Sequence, residues 1–229
     1  MALSGLALQI MLLAGCDKAP EASPLETTNA TAAIPEIPRP AGPERLILAL
    51  GDSLYAGYGL QRGEDLPDAI QAKLRAAGIN ATVINSGVSG DTSAAGRQRL
   101  AFALDNLPRK PDLVLLGLGG NDVLRQIPPA ETRGNMTAMM AEIARRGIPV
   151  LLTGMMAPPN LGPEFQAQFD AIWPDLAKRY HAALYPFILD GVMGQTALMQ
   201  ADHVHPNATG VQRIADRLAP TVREALKAK

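Results

Sequence analysis

Five short apolar runs, each followed by a longer amphipathic stretch, set the architecture open to this chain. The runs RLILAL (45–50), ATVIN (81–85), DLVLLGL (112–118), IPVLLTGM (148–155) and LYPFIL (184–189) are nearly continuous in aliphatic residues and bounded by turn formers. Each reads as a strand buried on both faces. Helical patterns lie between them, at about 64–77, 92–106, 131–146 and 163–181, and the third places Met136, Met139, Met140 and Ile143 on one face. A last helix, at about 208–228, stripes Val211, Ile214, Ala215, Leu218, Val222 and Leu226, with Pro220 as a kink. Strands alternating with helices of this length make βαβ units. The fold class expected is α/β, a three-layer α/β/α sandwich around a five-stranded parallel sheet of the flavodoxin-like kind. In such sheets ligands bind beyond the carboxyl ends of the strands, so the loops after strands one, two, three and five should hold any chemistry.

Composition excludes several alternatives. Twenty-one Lys and Arg against 22 Asp and Glu in 229 residues give a net charge of -1, with no basic stripe to follow a nucleic acid. A single cysteine, Cys16, leaves no intramolecular disulfide, and three histidines are too few for most histidine-based metal clusters.

The N-terminus reads as a processed segment. An apolar run from Leu6 to Ala14, broken by Gln9, is too short to span a bilayer and ends in small residues. Leu13, Ala14, Gly15 and Cys16 are similar to a bacterial lipobox, in which residues 1–15 are removed and Cys16 becomes the lipid anchor. The pattern departs from the usual one in having no Lys or Arg before the apolar run, and a chance apolar start with an ordinary thiol is the alternative. Residues 16–43 carry Pro20, Pro24, Pro35, Pro38, Pro40 and Pro43 and no hydrophobic periodicity, so they read as a Pro-rich tether to a domain at 44–229.

The four loops carry the unusual residues. GDSLYAGYGL (51–60) puts Ser53 at a strand-to-helix transition, where it is either a helix cap or a nucleophile. The G-x-S-x-G elbow is absent, because Tyr55 occupies the position of its second glycine. NSGVSGDTS (85–93) and GLGGNDVLR (117–125) are glycine turns taken singly, but Gly90 lets backbone approach a ligand and Asn121 is a neutral amide donor suited to a developing oxyanion. In ADHVHPNATG (201–210), Asp202 and His205 are spaced i, i+3, so the carboxylate can orient the imidazole as a base, whereas His203 should face solvent or the loop rim. Pro206 holds His205 extended and Asn207 can start the last helix.

LGDSLYAGYG, SGDTS, GGND and DHVHPN together resemble, in order and spacing, the four sequence blocks of the SGNH hydrolases, also called GDSL esterases/lipases. Within that family the chain looks closest to the bacterial thioesterase I/lysophospholipase/arylesterase group, which NLGPEFQAQFDAIWPDLAKRY (160–180) also resembles. The resemblance implies a catalytic triad of Ser53, Asp202 and His205, and an oxyanion hole formed by the N–H groups of Ser53 and Gly90 and the Asn121 amide. It also makes the loop after strand four an acyl-chain cover. Leu54, Tyr55, Met156, Pro158, Asn160 and Val204 are the candidate substrate-binding residues, with strand-end core packing the alternative for Met155 and Met156. The activity implied is hydrolysis of carboxylic esters, acyl thioesters or lysophospholipids without metal or organic cofactor. The expected partners are a small-molecule acyl ester or thioester and, through the lipid anchor only, a membrane; the chain is expected to be an exported, periplasmic, Gram-negative lipoprotein and a monomer. Two other readings stay open. Asp52, Asp91, Asn121, Asp122, Asp202 and His205 could serve as ligands of a metallophosphoesterase, and the scaffold could be a non-catalytic lipoprotein that binds acylated ligands.

Overall fold

A computed structural model describes residues 38–227. The expected signal segment, the Cys16 anchor and most of the tether lie outside the described residues. Among residues 38–43, only Pro40 is more than superficially covered, and none is in a regular element.

Strands β1 (Arg45–Gly51), β2 (Ala81–Gly87), β3 (Leu113–Gly117), β4 (Val150–Thr153) and β5 (Ala183–Tyr185) form one parallel sheet in the order β2-β1-β3-β4-β5. Helices follow as α1 (Ser53–Ala56), α2 (Leu66–Ala76), α3 (Ser93–Asp105), α4 (Gly120–Leu124), α5 (Pro129–Arg145), α6 (Pro163–Asp170), α7 (Ile172–Tyr180) and α8 (Ala208–Ala225). Alternate residues of the sheet feed two cores. Ile47, Ala49, Leu113, Leu115 and Leu151 pack with α2 and α8, while Leu48, Leu50, Val114, Leu116 and Leu152 pack with α3, α5 and α7. The helical stripes at Met136/Met139/Met140/Ile143 and Val211/Ile214/Leu218/Val222 are the faces that close these cores.

The chain runs from β1 to β2 on one side and on to β3 on the other, so the winding reverses at β1. The crevice that such a reversal opens lies at the carboxyl ends of β1 and β3.

Three expectations need correction. Only β1, β3 and β4 are buried along essentially their whole length; β2 and β5 are the sheet edges and half-buried, because each has a neighbour on one side only. The run LYPFIL is a strand only to Tyr185, since Pro186 has no N–H with which to continue pairing. The helix expected over 163–181 is two helices divided at Ala171. Pro174 explains the break: it cannot donate to the carbonyl of Asp170, and its ring crowds that carbonyl. Pro220, by contrast, stays within a continuous α8.

Candidate active site

The serine loop begins where β1 runs out. The Asp52 carboxylate accepts the backbone N–H of Leu54 at 3.1 Å and caps α1, which presents Ser53 as its first residue. Tyr55 sits beneath this turn, 1% exposed, with its hydroxyl 2.9 Å from Thr153 Oγ1 on β4. A Cβ on Gly51 or on Gly117 would come within 2.4 Å of the Tyr55 ring, so the glycines ending β1 and β3 make room for it. This corrects the placement of Tyr55 at the substrate rim: α1 turns its ring inward onto the sheet, where burial holds its phenol well above the usual range.

The histidine loop is a closed unit. Met199 and Pro206 form an isolated bridge, Gln200 N–H donates to the His205 carbonyl at 2.8 Å, and Asn207 caps α8 through Gly210 N–H at 3.0 Å. The imidazole is held between two partners: Nδ1 lies 2.7 Å from Asp202 Oδ2, and Nε2 lies 2.9 Å from Ser53 Oγ. Asp202 Oδ1 accepts the N–H groups of Val204 and His205, each at 3.0 Å. The His205 N–H, then its ring, then the Val204 N–H lower the Asp202 pKa to about 2, so this carboxylate stays ionised at any pH where the imidazole can act. The adjacent His203, in a left-handed conformation (φ 57°), falls on the exposed rim.

Gly90 and Asn121 come together from the ends of β2 and β3. Asn121 Nδ2 donates one hydrogen to the Asp91 carbonyl at 3.0 Å, which leaves the other to point elsewhere. Gly90 has φ +85°, a conformation that favours glycine, and its carbonyl accepts from Arg125 Nη2 at 2.9 Å. Beneath them, Asp122 is fully buried and accepts Ser93 N–H at 2.8 Å, Ser93 Oγ and Thr132 Oγ1 at 2.9 Å. Arg99 ties the ends of β1 and β2 to the loop after β2, reaching the Asp91 carboxylate, the Ser86 carbonyl at 2.7 Å and the Gly51 carbonyl at 2.8 Å. Sequence reasoning overlooked Ser93, Arg99, Arg125 and Thr132. A Ser/Thr/Arg in an amphipathic helix carries no local sign that it faces a loop.

An apolar cavity of about 500 Å³ opens beside Ser53 and His205. Leu54, Val123, Leu124 and Asn121 are among the residues on one side, Met155, Met156, Ala157, Pro158 and Pro159 on another, and Phe187, Leu189, Met193 and Val204 on a third, with His203 at the edge. The expected residues Leu54, Met156, Pro158 and Val204 therefore meet at one cavity. Met155 does both jobs weighed for it, since it is partly buried against both cores and also lines the cavity. Asn160 does not line it: the short 3-10 turn Pro159–Leu161 carries it to the exposed outer side. Val123, Leu124, Phe187, Leu189 and Met193 were not among the expected lining residues: Val123 and Leu124 sit in a loop read only for its polar groups, and Phe187 and Leu189 in a run read as strand to 189, whereas β5 ends at Tyr185.

The chain is similar to proteins already known. The model of the GDSL-like Lipase/Acylhydrolase family matches residues 49–213. Esterase TesA of Pseudomonas aeruginosa is 37% identical over 180 residues, which cover 79% of this chain and 89% of that protein. The thioesterase 1/protease 1/lysophospholipase L1 of Escherichia coli K12 is 35% identical over 173 residues, 76% of this chain and 81% of that one. Among solved structures, AlinE4, described as an SGNH-hydrolase family esterase, is 52% identical with a TM-score of 0.69, covering 81% of this chain and 98% of that one. The chain belongs to the GDSL-like lipase/acylhydrolase family.

Proposed function

We propose that this protein hydrolyses carboxylic esters and acyl thioesters through an acyl-serine formed on Ser53. The observation that carries the reading is the unbroken chain Asp202 Oδ2, His205 Nδ1, His205 Nε2, Ser53 Oγ, with contacts of 2.7 and 2.9 Å, placed at the mouth of an apolar cavity. His205 takes the serine proton as Ser53 attacks the carbonyl, and Asp202 stabilises the imidazolium. The free hydrogen of Asn121 Nδ2 and the N–H groups of Ser53 and Gly90 receive the oxyanion. His205 then protonates the departing alcohol or thiol, and water, activated by the same imidazole, releases the acid.

The carboxylates that a metallophosphoesterase would use are engaged separately: Asp122 by Ser93 and Thr132, Asp91 by Arg99, Asp202 by His205. Outside the described residues, the likeness of Leu13–Cys16 to a lipobox supports export, lipidation of Cys16 and a tether ahead of the hydrolase domain at 44–229. Mass spectrometry of the mature N-terminus tests that part, and an unmodified Met1 or a free Cys16 thiol would refute it.

Hydrolysis of p-nitrophenyl esters by wild type and Ser53→Ala, each with and without EDTA, tests the chemistry. Turnover is expected to ignore EDTA and to vanish in Ser53→Ala. EDTA-sensitive turnover that survives in Ser53→Ala would favour a metal centre, and no turnover at all would favour a binding protein.

A further inference from the structure

The tetrahedral centre on Ser53 has four directions to fill: the serine oxygen, the oxyanion, the acyl chain and the leaving group. The apolar cavity takes the acyl chain. The leaving group must depart elsewhere, next to the His205 Nε2 that protonates it. Tyr58 packs against the same imidazole, outside that cavity. Its ring centroid is 4.6 Å from that of His205 with the planes tilted by 38°, it is 52% exposed, and it does not line the acyl cavity. Its position is built rather than incidental. Gln200, on the histidine loop, donates from Nε2 to the Tyr58 carbonyl at 2.7 Å and to the Pro206 carbonyl at 3.0 Å, locking the serine loop to the histidine loop. Gly59 permits this clamp, because a Cβ there would lie 2.2 Å from Gln200 Oε1. The outcome is an exposed aromatic surface fixed against the catalytic base.

We propose that Tyr58 forms a leaving-group subsite that favours esters of aromatic alcohols. An aryl leaving group stacked on or edged against Tyr58 keeps its oxygen beside His205 Nε2, and both rings shed water on contact. An alkyl leaving group gains less there, as it lacks the flat face. The proposal rests on the acyl-serine reading and assigns the choice among leaving groups to one residue.

The test uses esters of one acid, phenyl butyrate and ethyl butyrate. Both pass through the same butyryl-serine, so the leaving group acts only on acylation, which kcat/KM reports. Tyr58→Leu is expected to lower the phenyl-to-ethyl ratio of kcat/KM about fivefold, the order of an aromatic pair contact, and Tyr58→Phe and Tyr58→Trp to keep it. A purely structural role in holding His205 would slow both esters alike and leave the ratio unchanged, which would overturn the proposal. An independent measurement needs no variant: phenol should inhibit the wild-type protein more strongly than cyclohexanol, and equal inhibition would count against the subsite. Failure of either kind leaves wild-type, Ser53-dependent turnover intact. Loss of the acyl-serine reading would instead appear as turnover surviving in Ser53→Ala.

Discussion

Asn121 tests how much of the chemistry rests on a single amide. Its Nδ2 is pinned by the Asp91 carbonyl, so in the proposed mechanism the donor is oriented before substrate arrives and needs little reorganisation in the transition state. Asn121→Ala should lower kcat by about 10² to 10³ with the fold unchanged by circular dichroism. A folded variant with near-normal kcat would remove Asn121 from the mechanism. Asp52 makes a different prediction, about stability. Burial is the largest cause raising its pKa from 3.8 to about 6, and the Leu54 N–H opposes it only in part. A folded-state value above the unfolded one means that Asp52 favours the fold when protonated. Its contribution is fully present below pH 3.8 and is lost as pH rises through about 6. Asn caps as well as Asp and carries no charge, so Asp52→Asn should be more stable than wild type above pH 6, by about 3 kcal/mol at most. The gain should shrink toward pH 3.8, and urea melts at pH 8 and pH 4.5 would measure it; a gain independent of pH would refute the assignment. The residues to which the proposal gives the chemistry could be picked out in sequence because they cluster in loops of unusual composition. Those that hold the loops were not, since Arg99 and Arg125 act across sequence separations of up to 48 residues and nothing local marks them.

Elements were legible where hydrophobic period and length agreed, as in β1, β3, α5 and α8. The reading failed at Pro174, where the ring split one expected helix into α6 and α7, while α8 runs through Pro220 as one helix, as expected. Exposure at the edges was also unreadable, since an edge strand and a central one can share the same aliphatic run and differ only in neighbours. The split at Pro174 has a functional side. It ends α6 at Asp170, whose Oδ1 accepts the N–H of Ala157 at 2.8 Å, and so fixes the loop that carries Met156 and Pro158 over the cavity. Asp170→Ala should free this loop and raise KM for octanoyl esters about fivefold, the worth of one hydrogen bond of about 1 kcal/mol, with acetyl esters much less affected. Asp170→Asn keeps an acceptor and should behave as wild type. Equal changes for both chain lengths in Asp170→Ala would show that the loop does not shape the acyl site.

At the scale of the molecule, the reversal of winding at β1 lets one crevice receive loops from β1, β2, β3 and the segment before α8, so residues 152 positions apart meet as Ser53 and His205. The same arrangement places an apolar wall made from four separate connections beside Ser53 and His205. That wall has a quantitative consequence. Each methylene taken from water into an apolar cavity contributes about 0.8 kcal/mol, close to a fourfold change in kcat/KM. A cavity of about 500 Å³ that opens to solvent at Met156, Met193 and Leu124, all roughly half exposed or more, should give that gain only while methylenes are covered. Plotted against acyl length from acetyl to dodecanoyl, log kcat/KM should therefore rise steeply and then flatten, because later methylenes emerge over a rim that covers one face of the chain. Replacing Met156 with Ser should lower the plateau and leave the initial slope unchanged, as that side chain belongs to the rim. A slope that is flat from acetyl onward would mean that the cavity does not hold the acyl chain, and the direction assigned to the leaving group would then have to be reversed.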